Sequence, residues 1–412
     1  MRVVELDEAV RLAEAVQALD GGEPRLVTSG NFATPLPLLE AVAAALPTLR
    51  LHLLNAQRGL PLHEGVIPET TFVGPGFRGH HRLAYVPSRL SLTPRLFSTT
   101  LPPDIVVIHT TLPRNGMVSL GTEVNVLPAA IEAVRARGGL VLAQLNPLMP
   151  WTFGDALVPT DEVDAAVEIE QQLAVHTPSP PDETAAHIGA QVAAAIHDGS
   201  TIQAGIGAVP DATIAGLVER RGLRVWTEMF SDGILALERA GALDPDLPLS
   251  TSFVFGTAEL YAWLDGNERV VLRRTEVTNA PARIAEQRQM TSVNTALQVD
   301  LFGQANASRI NARIYSGFGG QTDFTVGALQ SPGGQAFMAL RSWHPKADCS
   351  TIVPLVDEPV TSFQHSAVVT EQGVARIAGL DERTQARNLV EHAAHPRVRD
   401  ELREEARALG LL

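Results

Sequence analysis

A single cysteine, Cys349, and a single lysine, Lys346, stand among 412 residues. One thiol excludes an intrachain disulfide framework and any cysteine-rich metal site, and fits a reducing cytoplasm. Cys349 itself is expected to fill core, because free cysteine is among the most buried residue types. No run reaches the ~18 uninterrupted apolar residues of a membrane span. Even Leu38 to Leu54 is broken by Glu40, Pro47 and Arg50. The opening Met1-Arg2-Val3-Val4-Glu5-Leu6-Asp7-Glu8 turns acidic at once and does not read as a secretory signal, so a cytoplasmic location is expected. No His-Glu-x-x-His, cysteine pair or series of spaced aspartates appears, so no metal is expected. The Gly-x-Ser-x-Gly elbow of serine hydrolases and the Gly-Lys phosphate loop are missing as well. His80-His81 reads as solvated surface.

The net charge of -14, with arginine supplying nearly all the basic residues, should repel nucleic acid and anionic membrane alike. A polyanionic small molecule could still be held by local arginines and backbone amides. Hydrophobic residues at 45% and charged residues at 19% place the chain among folded globular proteins. Its length predicts two domains of roughly 200 residues each.

Short apolar runs alternate with helix-length amphipathic segments: Arg25–Thr28, Ile105–Ile108, Leu140–Ala143, Arg224–Trp226, Ser252–Phe255 and Arg269–Leu272. Such alternation predicts an α/β fold with largely parallel sheets covered by helices. The proline cluster His176-Thr177-Pro178-Ser179-Pro180-Pro181-Asp182 can continue neither helix nor central strand, and an alanine-rich helix over Glu183–His197 follows it. The expected domains are therefore 1–178 and 179–412. Val27-Thr28-Ser29-Gly30-Asn31-Phe32-Ala33-Thr34-Pro35 and Ile202-Gln203-Ala204-Gly205-Ile206-Gly207-Ala208-Val209-Pro210 echo one another, each a strand, a glycine and a proline opening a helix. Gly205-Ile206-Gly207 invites a dinucleotide reading, but Pro210 stands where the third glycine belongs.

Carboxylate and backbone-amide chemistry remains, concentrated in three places. In Trp226-Thr227-Glu228-Met229-Phe230-Ser231-Asp232-Gly233 an apolar strand ends in a glutamate, at the edge where parallel sheets place active sites. In Ser316-Gly317-Phe318-Gly319-Gly320-Gln321-Thr322-Asp323 the glycines either expose amides that converge on an oxyanion, or form a plain turn before a helix capped by Thr322 or Asp323. Val368-Val369-Thr370-Glu371-Gln372-Gly373 is a third strand ending in an acid.

Taken in order, these blocks resemble the acetyl-CoA hydrolase/transferase family, which includes 4-hydroxybutyrate and related carboxylic acid CoA-transferases. Gln287-Arg288-Gln289-Met290 and Ser292 to Gln304 join Gly205–Ala212, Thr227–Gly233, Gly317–Phe324 and Val369–Gly373 in that resemblance. Before the proline cluster the likeness is looser, and Pro113-Arg114-Asn115-Gly116 departs from the family, where an acid and a His-Gly are frequent. That departure bears on substrate identity.

The resemblance implies two related CoA-transferase-type α/β domains with the active site between them, in a homodimer or higher homo-oligomer. It implies Glu228 as the nucleophile, Gly319 as an oxyanion-hole amide assisted by Gly320, and Glu371 and Asn279 in the site. Gln203, Gly205, Gly207, Gly317 and Phe318 would line the substrate. Gln298, where many members carry glutamate, is an amide that cannot form an acyl anhydride. The expected reaction moves CoA between an acyl-CoA and a short-chain carboxylate through a glutamyl-CoA thioester on Glu228, with coenzyme A as substrate and no other cofactor. An acyl-CoA hydrolase with the same intermediate and a non-catalytic acyl-CoA-binding protein of the same fold are the alternatives.

Overall fold

The computed structural model describes residues 1–16, 22–176, 179–362 and 364–412. Thr177 and Pro178, at the middle of the proline cluster, lie outside the described residues. The chain forms two compact units. The first comprises Met1–Thr177, Leu249–Thr278 and Tyr315–Gly319, and the second Pro178–Pro248, Asn279–Ile314 and Gly320–Leu412.

The first unit is built on an eight-stranded sheet whose strands are β1 (Arg2–Val3), β2 (Arg25–Thr28), β3 (Leu49–His52), β4 (Val66–Thr70), β5 (Ala84–Tyr85), β6 (Ile105–Thr110), β7 (Leu140–Leu145) and β8 (Ala165–Glu168). Their order is β1-β8-β7-β6-β2-β3-β4-β5, with every pairing parallel. All six residues of β6 and of β7 are buried, as expected of strands covered on both faces. From β2 the chain proceeds outward through β3, whereas β6 starts on the other side, so the order reverses between β2 and β6. Such a reversal opens a crevice at the carboxyl ends of the strands.

A buried ionic cluster ties three of these strands together. Glu69 on β4 accepts from Arg25 Nε at 2.9 Å and Nη2 at 3.3 Å, and its Oε1 lies 3.1 Å from His52 Nδ1. Burial alone would raise the Glu69 carboxyl, but hydrogen bonds and charge from His52 and Arg25 outweigh it and hold the pKa at about 2. The resulting stability is fully present above the ordinary value of 4.5 and is lost as pH falls toward 2. Glu69→Ala should cost about 3–5 kcal/mol at pH 7, because it strands the part-buried Arg25 guanidinium and the fully buried His52 ring. Urea midpoints would measure it, and a loss below 1 kcal/mol would contradict the assignment.

The second unit contains β9 (Thr201–Ala204), β10 (Arg224–Val225), β11 (Thr291–Asn294), β12 (Gln335–Ala339), β13 (Ala367–Thr370) and β14 (Gly373–Arg376). Their order is β10-β9-β11-β12-β13-β14, parallel except for the final hairpin. Here the reversal falls between β9 and β11. The two echoing segments thus leave β2 and β9, the strands at the reversal of their respective sheets. Helix α1 (Glu183–Ala194) is capped by Asp182, whose side chain accepts from the Ala185 amide. Helices α2 (Ala208–Ala215), α3 (Asp232–Arg239) and α4 (Gln321–Gln330) follow in the same unit.

Two local expectations are corrected. Cys349 is exposed rather than core, because it sits in a surface hairpin pairing Trp343–His344 with Cys349–Ser350. Helix α4 is capped by Gly320, not by Thr322 or Asp323, both of which are buried within its first turn. His80 and His81 lie at the surface as expected, His81 exposed and His80 half-exposed, with their rings stacked at a centroid distance of 4.9 Å. The departing Arg114-Asn115-Gly116 stretch is a tight turn: Asn115 and Gly116 have φ of 51° and 76°, and Arg114 and Met117 exchange backbone hydrogen bonds.

Candidate active site

Glu228 lies just past β10, at the carboxyl edge of the second sheet. Residues 224–225 form the strand, Thr227 turns its hydroxyl back to the Met229 carbonyl at 2.9 Å, and Ser231 precedes α3. Glu228 is thereby held between a strand and a helix start rather than on a free loop. Its Oε2 accepts from Asn279 Nδ2 at 2.8 Å. Asn279 is fully buried, in front of a short helix opened by Pro281.

Gly320 closes the third side. A Cβ built on Gly320 would overlap both Glu228 Oε2 and Asn279 Nδ2, so only a glycine leaves room for this pair. Gly320 is also the N-cap of α4, where the opening amides of a helix lack intrahelical partners and favour negative charge.

Glu228 as a residue keeps some exposure, but its carboxyl end is packed about by protein. Burial pushes its pKa up to about 7; the Asn279 hydrogen bond opposes the rise and the Asp323 carboxylate, in the first turn of α4, adds to it. A carboxyl poised near neutrality is ionised enough to attack and little enough solvated to be reactive.

The other expected site residues fall into three groups. Gly205 lines a small cavity shared with Thr227 and Met229, the neighbours of Glu228. Gly207 caps α2 with a φ of 126°, and Gln203 accepts from Ser292 Oγ at 2.8 Å and Asn294 Nδ2 at 3.4 Å, a buried polar cluster at the β9/β11 reversal. Glu371 follows β13, four strands from β10 in sheet order, or roughly 19 Å at ordinary strand spacing. Its carboxylate accepts from the amide of Ser342 at 3.0 Å and from the Ser342 hydroxyl. Burial would raise Glu371, but the bonds from Ser342 hold it below the usual range.

Gly317, Phe318 and Gly319 belong to the first unit, where Ser316 accepts from the Val73 amide at 2.7 Å and Gly319 from the Leu90 amide at 3.0 Å. A Cβ on Gly319 would press on the Phe72 ring, and its φ of 55° is left-handed. The glycine loop is therefore divided between the units, with Gly320 alone against Glu228 and Asn279. Asp323 and Ser342 were not anticipated as neighbours of the two glutamates. Asp323 stands in the glycine-loop motif at a position that suggests a helix cap, and nothing in the sequence marks Ser342.

Residues 256–406 match the acetyl-CoA hydrolase/transferase C-terminal domain, a match that begins after Glu228. The 4-hydroxybutyrate coenzyme A transferase of Clostridium kluyveri is 34% identical over 336 residues, covering 79% of this chain and 77% of that one. The chain belongs to the acetyl-CoA hydrolase/transferase family. A succinyl-CoA:acetate/propanoyl-CoA:succinate CoA transferase of Fasciola hepatica is 34% identical over 404 residues, 92% of this chain and 83% of the relative, so membership spans both units. Among solved structures, RipA from Yersinia pestis superposes with a TM-score of 0.91 at 26% identity, covering 100% of this chain and 98% of RipA. The α/β architecture with mostly parallel sheets is thus the family's own. Family members include both transferases and hydrolases, as the name records.

Proposed function

We propose that the chain is a CoA-transferase that moves CoA from an acyl-CoA to a carboxylate through a glutamyl-CoA thioester on Glu228. The observation that carries the reading is the Glu228–Asn279–Gly320 arrangement: a carboxyl poised near neutrality, oriented by a buried amide and flush against bare backbone at a helix start.

A Glu228 carboxylate oxygen attacks the thioester carbonyl carbon, and the C–S bond breaks to give an acyl-glutamyl anhydride and CoA thiolate. The thiolate then attacks the Glu228 carbonyl carbon, expelling the original acid as its carboxylate and leaving glutamyl-CoA. An incoming carboxylate reverses both steps. Each attack builds an oxyanion; the amides of Gly319 and Gly320 are assigned to receive it, one such donor typically being worth ~3 kcal/mol. Asn279 fixes the attacking carboxylate by donating to Oε2. Gln203, Gly205, Gly207, Gly317, Phe318 and Glu371 remain assigned to substrate binding or the wider site, and a cytoplasmic homo-oligomer is the working expectation.

Incubation with acyl-CoA and no acceptor, followed by peptide mass spectrometry, should place CoA on Glu228; an unmodified Glu228 peptide would sink the proposal. CoA release in acetate-free buffer that matches the rate with acetate would instead assign hydrolysis.

The rate of that labelling should depend on pH with a definite sign. Only the carboxylate attacks, so below the pKa of about 7 the rate falls tenfold per unit, to roughly a hundredth of its plateau at pH 5. Quenched-flow labelling at several pH values would show this, and a flat profile between pH 5 and 8 would refute it.

A further inference from the structure

The first unit carries a cavity of about 650 Å³ at the carboxyl edge of its sheet, lined in part by Asn31, Phe32, Gln57, Arg58, Leu60 and Phe255. Phe32 and Phe255 stack face to face and make an aromatic wall. Arg58 stands exposed at the cavity with no ion-pair or hydrogen-bond partner among the described residues, in a chain of net charge -14. Arg78 also lines the cavity but is engaged with Tyr315, donating to its carbonyl at 2.9 Å and lying over its ring, so an apolar wall and one uncommitted cation, Arg58, describe the complement of an amphipathic anion. The volume lies in the range of sites for drug-sized ligands and far exceeds what acetate or propionate would fill.

The wall is costly to build. Asn31, Asn55 and Asn125 all adopt left-handed backbone, with φ of 41°, 46° and 39°, a conformation that side chains other than glycine seldom hold without support. Asn55 Nδ2 donates to Asn31 Oδ1 at 3.0 Å. At the centre is Glu123, 3% exposed, whose Oε1 accepts from the Gly30 amide at 3.1 Å and from Asn125 Nδ2 at 3.3 Å. The Asn31 side chain also bonds to Glu123, while Glu123 Oε2 meets no donor among the described residues. Gly30 itself tolerates no Cβ, which would overlap the Leu54 carbonyl. A buried carboxyl left partly unsatisfied and spent on holding one turn marks a place where shape is kept at the expense of stability.

We propose that this cavity binds a carboxylic acid with an apolar body of about six carbons or more, that Arg58 takes its carboxylate, and that Glu123 is the positioning residue that keeps the Gly30–Asn31 turn in place. The choice of an organic acid among amphipathic anions rests on the transferase reading. The acid expected is thus larger than the short-chain class suggested by sequence.

Calorimetric titration of the full chain, without CoA so that no turnover occurs, tests this with benzoate, hexanoate, acetate and adenosine 3′,5′-bisphosphate. Benzoate and hexanoate should bind at least tenfold more tightly than acetate, and Arg58→Gln should weaken both at least tenfold with no change in unfolding midpoint. Leu60→Trp, which fills the cavity, should abolish both. Glu123→Gln keeps the acceptor for the Gly30 amide and should bind like the unmodified chain. Glu123→Met removes the acceptor at similar volume and should bind at least tenfold more weakly. Equal affinities for the three acids, binding indifferent to Arg58→Gln, or displacement of benzoate by the bisphosphate would overturn the site. Should Glu123→Met bind normally, the positioning role falls. CoA on Glu228 without acid binding here defeats this inference alone; Arg58-dependent acid binding without CoA on Glu228 defeats the transferase reading alone.

Discussion

Glu228→Gln should leave the chain folded while lowering CoA transfer by on the order of 10⁵-fold, the scale of loss seen when a nucleophile is removed and binding groups remain. The amide has the volume and the Oε1 acceptor that Asn279 needs, so the 2.8 Å contact can persist. It lacks the anionic oxygen that attacks the thioester. Stability should move the opposite way. The Glu228 pKa is raised from 4.5 to about 7, so between those values the native state binds more protons than the unfolded one, and stability falls as pH rises through the window. Above pH 7 the penalty reaches a ceiling of about 3 kcal/mol, the free-energy equivalent of that shift. Glutamine removes it. The variant should therefore unfold at higher denaturant than the unmodified chain at pH 8 and at equal denaturant at pH 4. Turnover within tenfold of the unmodified chain, or a stability difference independent of pH, would contradict the assignment.

The stabilising sign separates a catalytic carboxyl from a structural one. Glu69 shows the contrast: it too is buried, but Arg25 and His52 drive its carboxyl down to about 2, so it supports the fold at neutral pH and removal costs stability. Asp323 beside Glu228 has the reverse effect, since a second acid discourages ionisation. The second unit thus tolerates a group that weakens it at the pH where that group would react.

Much of this was legible in the chain. Runs of four residues marked β2, β6 and β7, the last two extending to six in the structure, because strands buried on both faces carry no polar alternation. The two Gly-to-Pro echoes fall at both reversal points, but for different reasons: at Gly30 the Leu54 backbone comes too close for a side chain, whereas Gly205 has open space about it and Gly207 needs its positive φ of 126°. Glu228 and Gly320 were visible through their motifs, but their meeting with Asn279 was not, because residues 51 and 92 positions from Glu228 converge only through packing. The division of the glycine loop at Gly319 was illegible for the same reason: whether a glycine answers to Phe72 or to Glu228 is decided by neighbours distant in sequence. Cys349 departs from expectation because residue type sets an average tendency, whereas exposure here follows from a surface hairpin whose strands are two residues long.

Gly320→Ala should lower transfer by about 10²-fold, the order of loss from a displacement near 1 Å in a catalytic group, with stability changed by less than about 1 kcal/mol. The backbone at Gly320 has φ of -92° and ψ of -4°, open to any L-residue, so alanine adds no strain to the chain itself. Its methyl instead overlaps Glu228 Oε2 and Asn279 Nδ2, the far ends of two flexible side chains, which can swing away at little cost to folding. What is lost is their alignment. Gly319→Ala is the internal control, because there the φ of 55° is left-handed and the added carbon meets Phe72 Cε2 at 2.9 Å. That variant should lose about 1–2 kcal/mol of stability from backbone conformation alone. Initial rates and urea midpoints on both variants resolve the two effects. If Gly320→Ala transfers CoA within threefold of the unmodified chain, Glu228 need not lie where Asn279 holds it, and the amides opening α4 lose their claim to the oxyanion.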